Sequence, residues 1–169
     1  MPNISFVLIT IALFLAYIIL LVLPLFHGAP YVPTKIVNID RLNKMLNIPV
    51  GTYIADLGSG DGRILVYFAQ KGFKCDGYEI NNILYARSKN KIKAMGLDDK
   101  ISIYRENFLK TDLSKYGFIF MFQISYIMPK IEAQLLKQLK KGSIVASYCY
   151  KFKYLTPIKE GYGWHIYSV

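Results

Sequence analysis

From Ile4 to Phe26 the chain carries no charged side chain and is dominated by Leu, Ile, Val and Phe. As a helix rising about 1.5 Å per residue, this run crosses an apolar layer of about 30 Å, so the pattern predicts one transmembrane helix. A signal peptide would open on a basic segment and have a shorter apolar core; here no Lys or Arg precedes Lys35. Pro24, Pro30 and Pro33, with Gly28 among them, predict a short stiff link. Beyond it Ile36, Val37, Ile39, Leu42, Met45 and Leu46 recur near helical spacing. They predict an amphipathic helix over Thr34 to Leu46, capped by Thr34 and stopped ahead of Pro49. Its apolar face is expected to pack against the sheet; the alternative, compatible with it, is that the helix lies on the lipid surface through Lys35, Arg41 and Lys44, which anionic headgroups attract.

From Tyr53 onward, apolar runs suited to buried strands alternate with runs at helical spacing. Strands are expected at Tyr53 to Leu57, Lys74 to Glu79, Ile101 to Arg105, Phe118 to Phe122 and Ser143 to Lys151. Helices are expected at Gly62 to Lys71, Asn82 to Met95 and Ile127 to Leu139. The alternation predicts an α/β fold in which helices cover both faces of a mostly parallel sheet. A last strand, Trp164 to Val169, follows a loop with Pro157, Gly161 and Gly163 and is expected to pair antiparallel at the edge. So little chain follows Tyr150 that the sheet is expected to have six or seven strands.

The 169 residues carry a net charge of +10, one domain's worth of chain with material for an appendage. The organisation expected is an anchor over residues 1–27, a link and amphipathic helix over 28–49, and an α/β domain over 50–169. Because Lys35, Arg41 and Lys44 follow the apolar run and no base precedes it, the α/β domain is expected on the cytoplasmic side of the membrane. Cys75 and Cys149 lie in separate strands and read as reduced core residues. The bases Arg87, Lys89, Lys91 and Lys93 fall at every second position of one helix, which spreads them instead of forming a stripe for nucleic acid.

The stretch Tyr53 to Arg63 reads Tyr-Ile-Ala-Asp-Leu-Gly-Ser-Gly-Asp-Gly-Arg: a strand, a glycine turn and a helix start. Glycine permits positive φ and brings backbone close to a ligand, while the free N–H groups of the next helix face it. A nucleotide P-loop would need a Gly-Lys pair, and the dinucleotide fingerprint would need glycine where Arg63 stands, so both are disfavoured. Glu79 closes the next apolar run, and a carboxylate there suits a ribose diol, which offers two donors to an acceptor-only group. No His/Cys cluster for a metal is visible.

The stretch resembles the first motif of class I S-adenosylmethionine-dependent methyltransferases, an acid at a strand end followed by G-x-G-x-G. The resemblance implies a Rossmann-like fold and S-adenosyl-L-methionine as cofactor, held by Asp56, Gly58, Ser59, Gly60, Gly62 and Glu79. It also places adenine recognition at Asn107 and Phe108, after the third strand. The Asp/Asn-Pro-Pro-Tyr/Phe tetrad of nucleobase and glutamine methyltransferases is absent after the fourth strand, where Gln123, Ser125 and Tyr126 stand. That argues against DNA adenine and glutamine as acceptors.

A closer resemblance rests on the apolar segment, Pro30 to Thr34, Asp56 to Arg63, Gly77 to Glu79, Asp112 to Tyr116, Thr156-Pro157 and Trp164. The chain looks like the membrane-anchored protein-lysine methyltransferases of the ATP synthase c-subunit and adenine nucleotide translocase, and their prokaryotic relatives. It departs from them at Tyr150 to Tyr154, where Arg-Phe-x-Phe-Pro would be expected. The resemblance implies a single-pass protein in a lipid bilayer that methylates a lysine of a membrane protein. In a eukaryote the location implied is the matrix side of the mitochondrial inner membrane. Gln123, Tyr126, Tyr148, Tyr150 and Trp164 are the candidates for lining the acceptor. A lipid, small-molecule or RNA methyltransferase, and a non-catalytic cofactor-binding module, are the alternatives.

Overall fold

A computed structural model describes residues 3–26 and 31–169, with side chains for 3–18 and 31–169. The chain forms two compact units, Met1–Tyr31 and Val32–Val169. The first holds helix α1, Ile4–Phe26, with no acid in its first turn and no base in its last. Among the described residues no helix is long and apolar enough to cross a membrane. The part of α1 with described side chains, residues 4–18, rises only about 22 Å at 1.5 Å per residue. The rest of the expected span, and residues 27–30 of the expected link, lie outside the described side chains.

The second unit is a seven-stranded sheet in the order β3-β2-β1-β4-β5-β7-β6. The strands are β1 (Tyr53–Leu57), β2 (Lys74–Tyr78), β3 (Ile101–Tyr104), β4 (Phe118–Met121), β5 (Ile144–Tyr148), β6 (Lys159–Gly161) and β7 (Trp164–Ser168). The first five run parallel, and β7 lies antiparallel between β5 and β6. The seventh strand is thus β6, within the stretch expected to be a loop, and β7 is interior. Lys159 and Glu160 give β6 no apolar signal, and its existence depends on pairing with His165 and Ile166. Strand β5 stops earlier than expected because Cys149 takes a left-handed φ of 69° directly after Tyr148.

Period-2 alternation sends the strand side chains into two cores. Ile54, Phe118, Phe120 and Ile166 face α2 (Ile36–Met45), α3 (Arg63–Ala69) and α4 (Asn82–Ala94), which contribute Ile39, Leu42, Leu65, Phe68 and Ile92. Ala55, Ile119, Val145 and Tyr167 face α5 (Met128–Gln138), which contributes Met128, Ile131 and Leu135. Helix α2 therefore packs on the sheet, as one of the two readings of its pattern had it. Its N-cap is Lys35, with no side-chain cap; Thr34 is buried and its carbonyl accepts from Arg63 Nη1 at 3.3 Å.

On the second face no helix joins β5 to β6. The crossover is an extended segment held by Glu132 of α5, a buried carboxylate that accepts backbone N–H from Lys153 (3.0 Å), Tyr154 (2.7 Å) and Leu155 (2.7 Å). Nearer the other edge, fully buried Asp76 accepts from Tyr53 (2.7 Å), Tyr116 (2.5 Å) and Lys115 (2.8 Å). Burial and that carboxylate push the Tyr116 hydroxyl far above its usual range, so it stays a donor.

Candidate active site

The chain steps outward from β1 to β2 and β3, then returns to β4 on the other side of β1. Such a reversal opens a crevice beyond the carboxyl ends of the strands, where open α/β sheets bind ligands. The glycine turn lies there. Gly58, Gly60 and Gly62 all have positive φ, at 84°, 55° and 76°. A Cβ on Gly58 would collide with the Gln123 amide, and one on Gly62 with the Ser88 hydroxyl. Glycine at these two positions is thus required by both conformation and space.

Two carboxylates flank the turn. Glu79 is buried; its Oε2 accepts Gly60 N–H at 2.8 Å and its Oε1 accepts Asn81 N–H at 2.7 Å. It clamps the turn to the end of β2, and each oxygen keeps a further lone pair for a ligand donor. Asp56, at the end of β1, is also buried, and no hydrogen bond contributes to its titration. Burial, reinforced by the charges of Glu79 and Asp61, pushes its carboxyl from 3.8 up to about 8. The Ser59 hydroxyl, which a Cβ on Gly77 would meet, is buried without a partner among the described residues. Among the described residues, the Asp56 carboxyl and the Ser59 hydroxyl are thus buried polar groups of one turn with no hydrogen-bond partner.

Asp61, within the turn, does not cap the helix that follows. Gly62 caps α3, while Asp61 pairs with Arg63 Nε (2.9 Å) and Lys91 Nζ (2.7 Å). Burial works to raise its pKa, but the bonds from Arg63 and Lys91 outweigh it and hold the carboxyl well below the usual range. Lys91 is thereby turned inward from the basic run of α4, a use that its spacing did not reveal.

Asn107 caps a short 3-10 turn through Oδ1, which accepts Leu109 N–H at 3.0 Å, and Phe108 packs against the second core. Gln123, expected at the rim, is buried and donates Nε2 to the Leu57 carbonyl at 2.7 Å, tying the end of β4 to the end of β1 across the crevice. Tyr126 is 73% exposed and Tyr150 39%, so both face outward at the carboxyl end. Tyr148 and Trp164 pack against each other with ring centroids 4.7 Å apart. The Tyr148 hydroxyl accepts from Asn38 Nδ2 at 2.6 Å, and Trp164 donates to Asn38 O at 2.9 Å. Trp164 is 1% exposed, so the indole joins α2 to the sheet and presents no surface to an acceptor.

The Asp56 shift has a measurable consequence. The folded state holds this proton more tightly than the unfolded chain, so ionising it costs stability. The ligand-free protein is expected to lose stability as pH rises from about 4, the loss being complete above about 8. Thermal unfolding across that window checks this, with Asp56→Asn expected to flatten the decline; an unchanged slope in that variant would rule out Asp56 as its source.

Three similarities can be set beside this geometry. The human lysine N-methyltransferase of the ATP synthase c-subunit is 31% identical over 128 residues, 76% of this chain and 54% of that protein. A protein-lysine N-methyltransferase of Saccharolobus islandicus (strain REY15A) is 30% identical over 131 residues, 76% of this chain and 81% of that protein. An RNA methyltransferase from Salinibacter ruber, solved with S-adenosyl-L-homocysteine, superposes with a TM-score of 0.75 at 25% identity, covering 81% of this chain and 92% of that one. The chain spans about half the length of the human relative. Residues 56–159, which begin at the buried acid of β1 and run through the turn, Glu79 and the Glu132-held crossover, match the ANTKMT methyltransferase domain, and the chain belongs to that family.

Proposed function

We propose that this chain is a membrane-anchored, S-adenosylmethionine-dependent methyltransferase whose acceptor is a lysine side chain of a membrane protein. The observation that carries the cofactor is the cradle at the glycine turn. Asp56 and Glu79 supply acceptors there for a cationic, hydroxyl-bearing ligand. When bound, the cofactor supplies a methyl group already activated on a sulfonium. The residues of the chain then hold a neutral amine in line with that methyl. A free lysine has a pKa near 10.4, and desolvation among aromatic faces and carbonyls lowers it. Tyr126 and Tyr150 are the rim aromatics placed for this, and their faces also tolerate the cationic product.

The lysine acceptor is supported by the two protein-lysine methyltransferases named above. The anchor is supported by the uncharged run of α1, and the bases that follow it favour the cytoplasmic side for the domain, or the matrix side in a mitochondrion. Tethering would confine the site to the layer in which membrane-protein lysines are also confined. RNA is the second reading, favoured by the likeness to the Salinibacter enzyme. Against it, Lys91 is committed to Asp61, and Lys89 lies over the Tyr85 ring, 5.9 Å from its centroid.

Methyl-labelled cofactor, the full chain and membranes containing candidate proteins test the reading. Label should appear on lysine, and removal of Met1 to His27 should sharply reduce it while sparing a soluble lysine peptide. Label on RNA or lipid, with none on protein, would overturn the lysine acceptor. Undiminished methylation of the membrane target by the truncated chain would overturn the tether.

A further inference from the structure

The carboxyl ends of the parallel strands are fringed by exposed apolar side chains. Ile80 and Ile83 follow β2, Ile83 being 77% exposed in the first turn of α4, and Tyr126 follows β4. Val32, just ahead of α2, and Ile36 and Val37, in its first turn, are each more than half exposed. Three hydrogen bonds set the place of that segment. Arg63, at the start of α3, donates to the Thr34 carbonyl, and Asn38 is held by Tyr148 and Trp164. Tyr148 ends β5 and Trp164 begins antiparallel β7, so all three partners stand at the carboxyl end of the sheet. The chain therefore joins this unit at the rim of the candidate active site.

Exposed bases stand among these apolar groups: Lys35 before α2, Arg105 after β3 and Lys130 in the first turn of α5, with Glu106 as an acid beside Arg105. The opposite end of the sheet carries more charge. Lys74, Lys100, Lys140 and Lys141 crowd it together with Asp98 and Asp99, interspersed with Val50, Met95 and Ile158. Water solvates such a charged end well. An apolar fringe with bases set into it matches a lipid interface, where hydrocarbon lies beneath anionic headgroups.

We propose that the carboxyl-end rim of the sheet rests on an anionic lipid surface, so that the cleft opens toward the headgroup layer. This rests on the anchored reading above. Lipid is favoured over a protein partner by chain connectivity: residues 27–31 alone separate the uncharged run from Val32, and a chain extends at most about 3.6 Å per residue. With the run in a bilayer, the rim stays near the headgroups. Acceptor lysines at that level then reach the cleft without leaving the membrane.

The full-length protein in vesicles of phosphatidylcholine and phosphatidylglycerol provides the test. Single fluorophores are attached in a Cys149→Ser background, Cys75 being buried. The labelled variants are Leu13→Cys in α1, Val37→Cys and Ile83→Cys at the rim, and Lys141→Cys at the opposite end. With a quencher carried on the lipid, the rim labels should be quenched several-fold more than the Lys141→Cys label. Quenching of Leu13→Cys with no difference between rim and opposite end would overturn the orientation and leave the anchor standing. A Leu13→Cys label out of reach of the quencher would overturn the anchor and the orientation together.

Discussion

Glu79→Ala is expected to weaken S-adenosylmethionine binding about 100-fold, a loss of about 2.8 kcal/mol at 1.4 kcal/mol per tenfold. The effect has two sources in one side chain. The carboxylate holds Gly60 N–H and Asn81 N–H, and removing it leaves both without a partner. Each orphaned buried donor costs about 1 to 3 kcal/mol, enough to let the turn leave its ligand-ready shape. The same change removes the oxygens whose spare lone pairs suit ribose hydroxyls. Glu79→Gln keeps one acceptor oxygen and should lie between the two proteins. Calorimetric titration with the cofactor reads the change, and affinity within twofold of the parent protein in Glu79→Ala would sink the role given to this clamp.

Glu132→Ala is the variant expected to cost most in stability. Its carboxylate takes three consecutive backbone donors, from Lys153, Tyr154 and Leu155, in a stretch that has no helix or ladder to supply alternatives. Water can re-satisfy some of them as the segment loosens, so the loss should be about 3 kcal/mol. For a chain of this size that lowers the midpoint of thermal unfolding by about 6 to 12 °C. Because Phe152 of the same segment packs on Tyr167 at a centroid distance of 4.8 Å, the core face beneath should loosen with it. Hydrogen exchange at residues 153–155 provides a local readout. A midpoint shift below 1 °C with unchanged exchange would show that other contacts hold the crossover.

The amino-acid sequence by itself determined the order of strands and helices apart from β6, the glycine turn and the two carboxylates beside it. These are local properties: alternation with period two or near four, and glycine where φ is positive, can be read within a few neighbouring residues. Strand β1 runs over Tyr53–Leu57 as the apolar run predicts, and Glu79 meets the turn because consecutive parallel strands end side by side. The tertiary structure alone decided what depends on strand order and on contacts between distant residues. Gln123 reads as a rim residue in sequence, yet it buckles β4 to β1 across a separation of 66 residues. Tyr148 and Trp164 read as lining, yet they meet Asn38 across 110 and 126 residues and are spent on seating α2. Lys159–Gly161 has too little apolar pattern to announce a strand, and becomes one because β7 lies beside it with unpaired backbone groups. Glu132 looks like a solvated helix residue until the fold brings the crossover over it, and a buried carboxylate then persists only where backbone donors surround it.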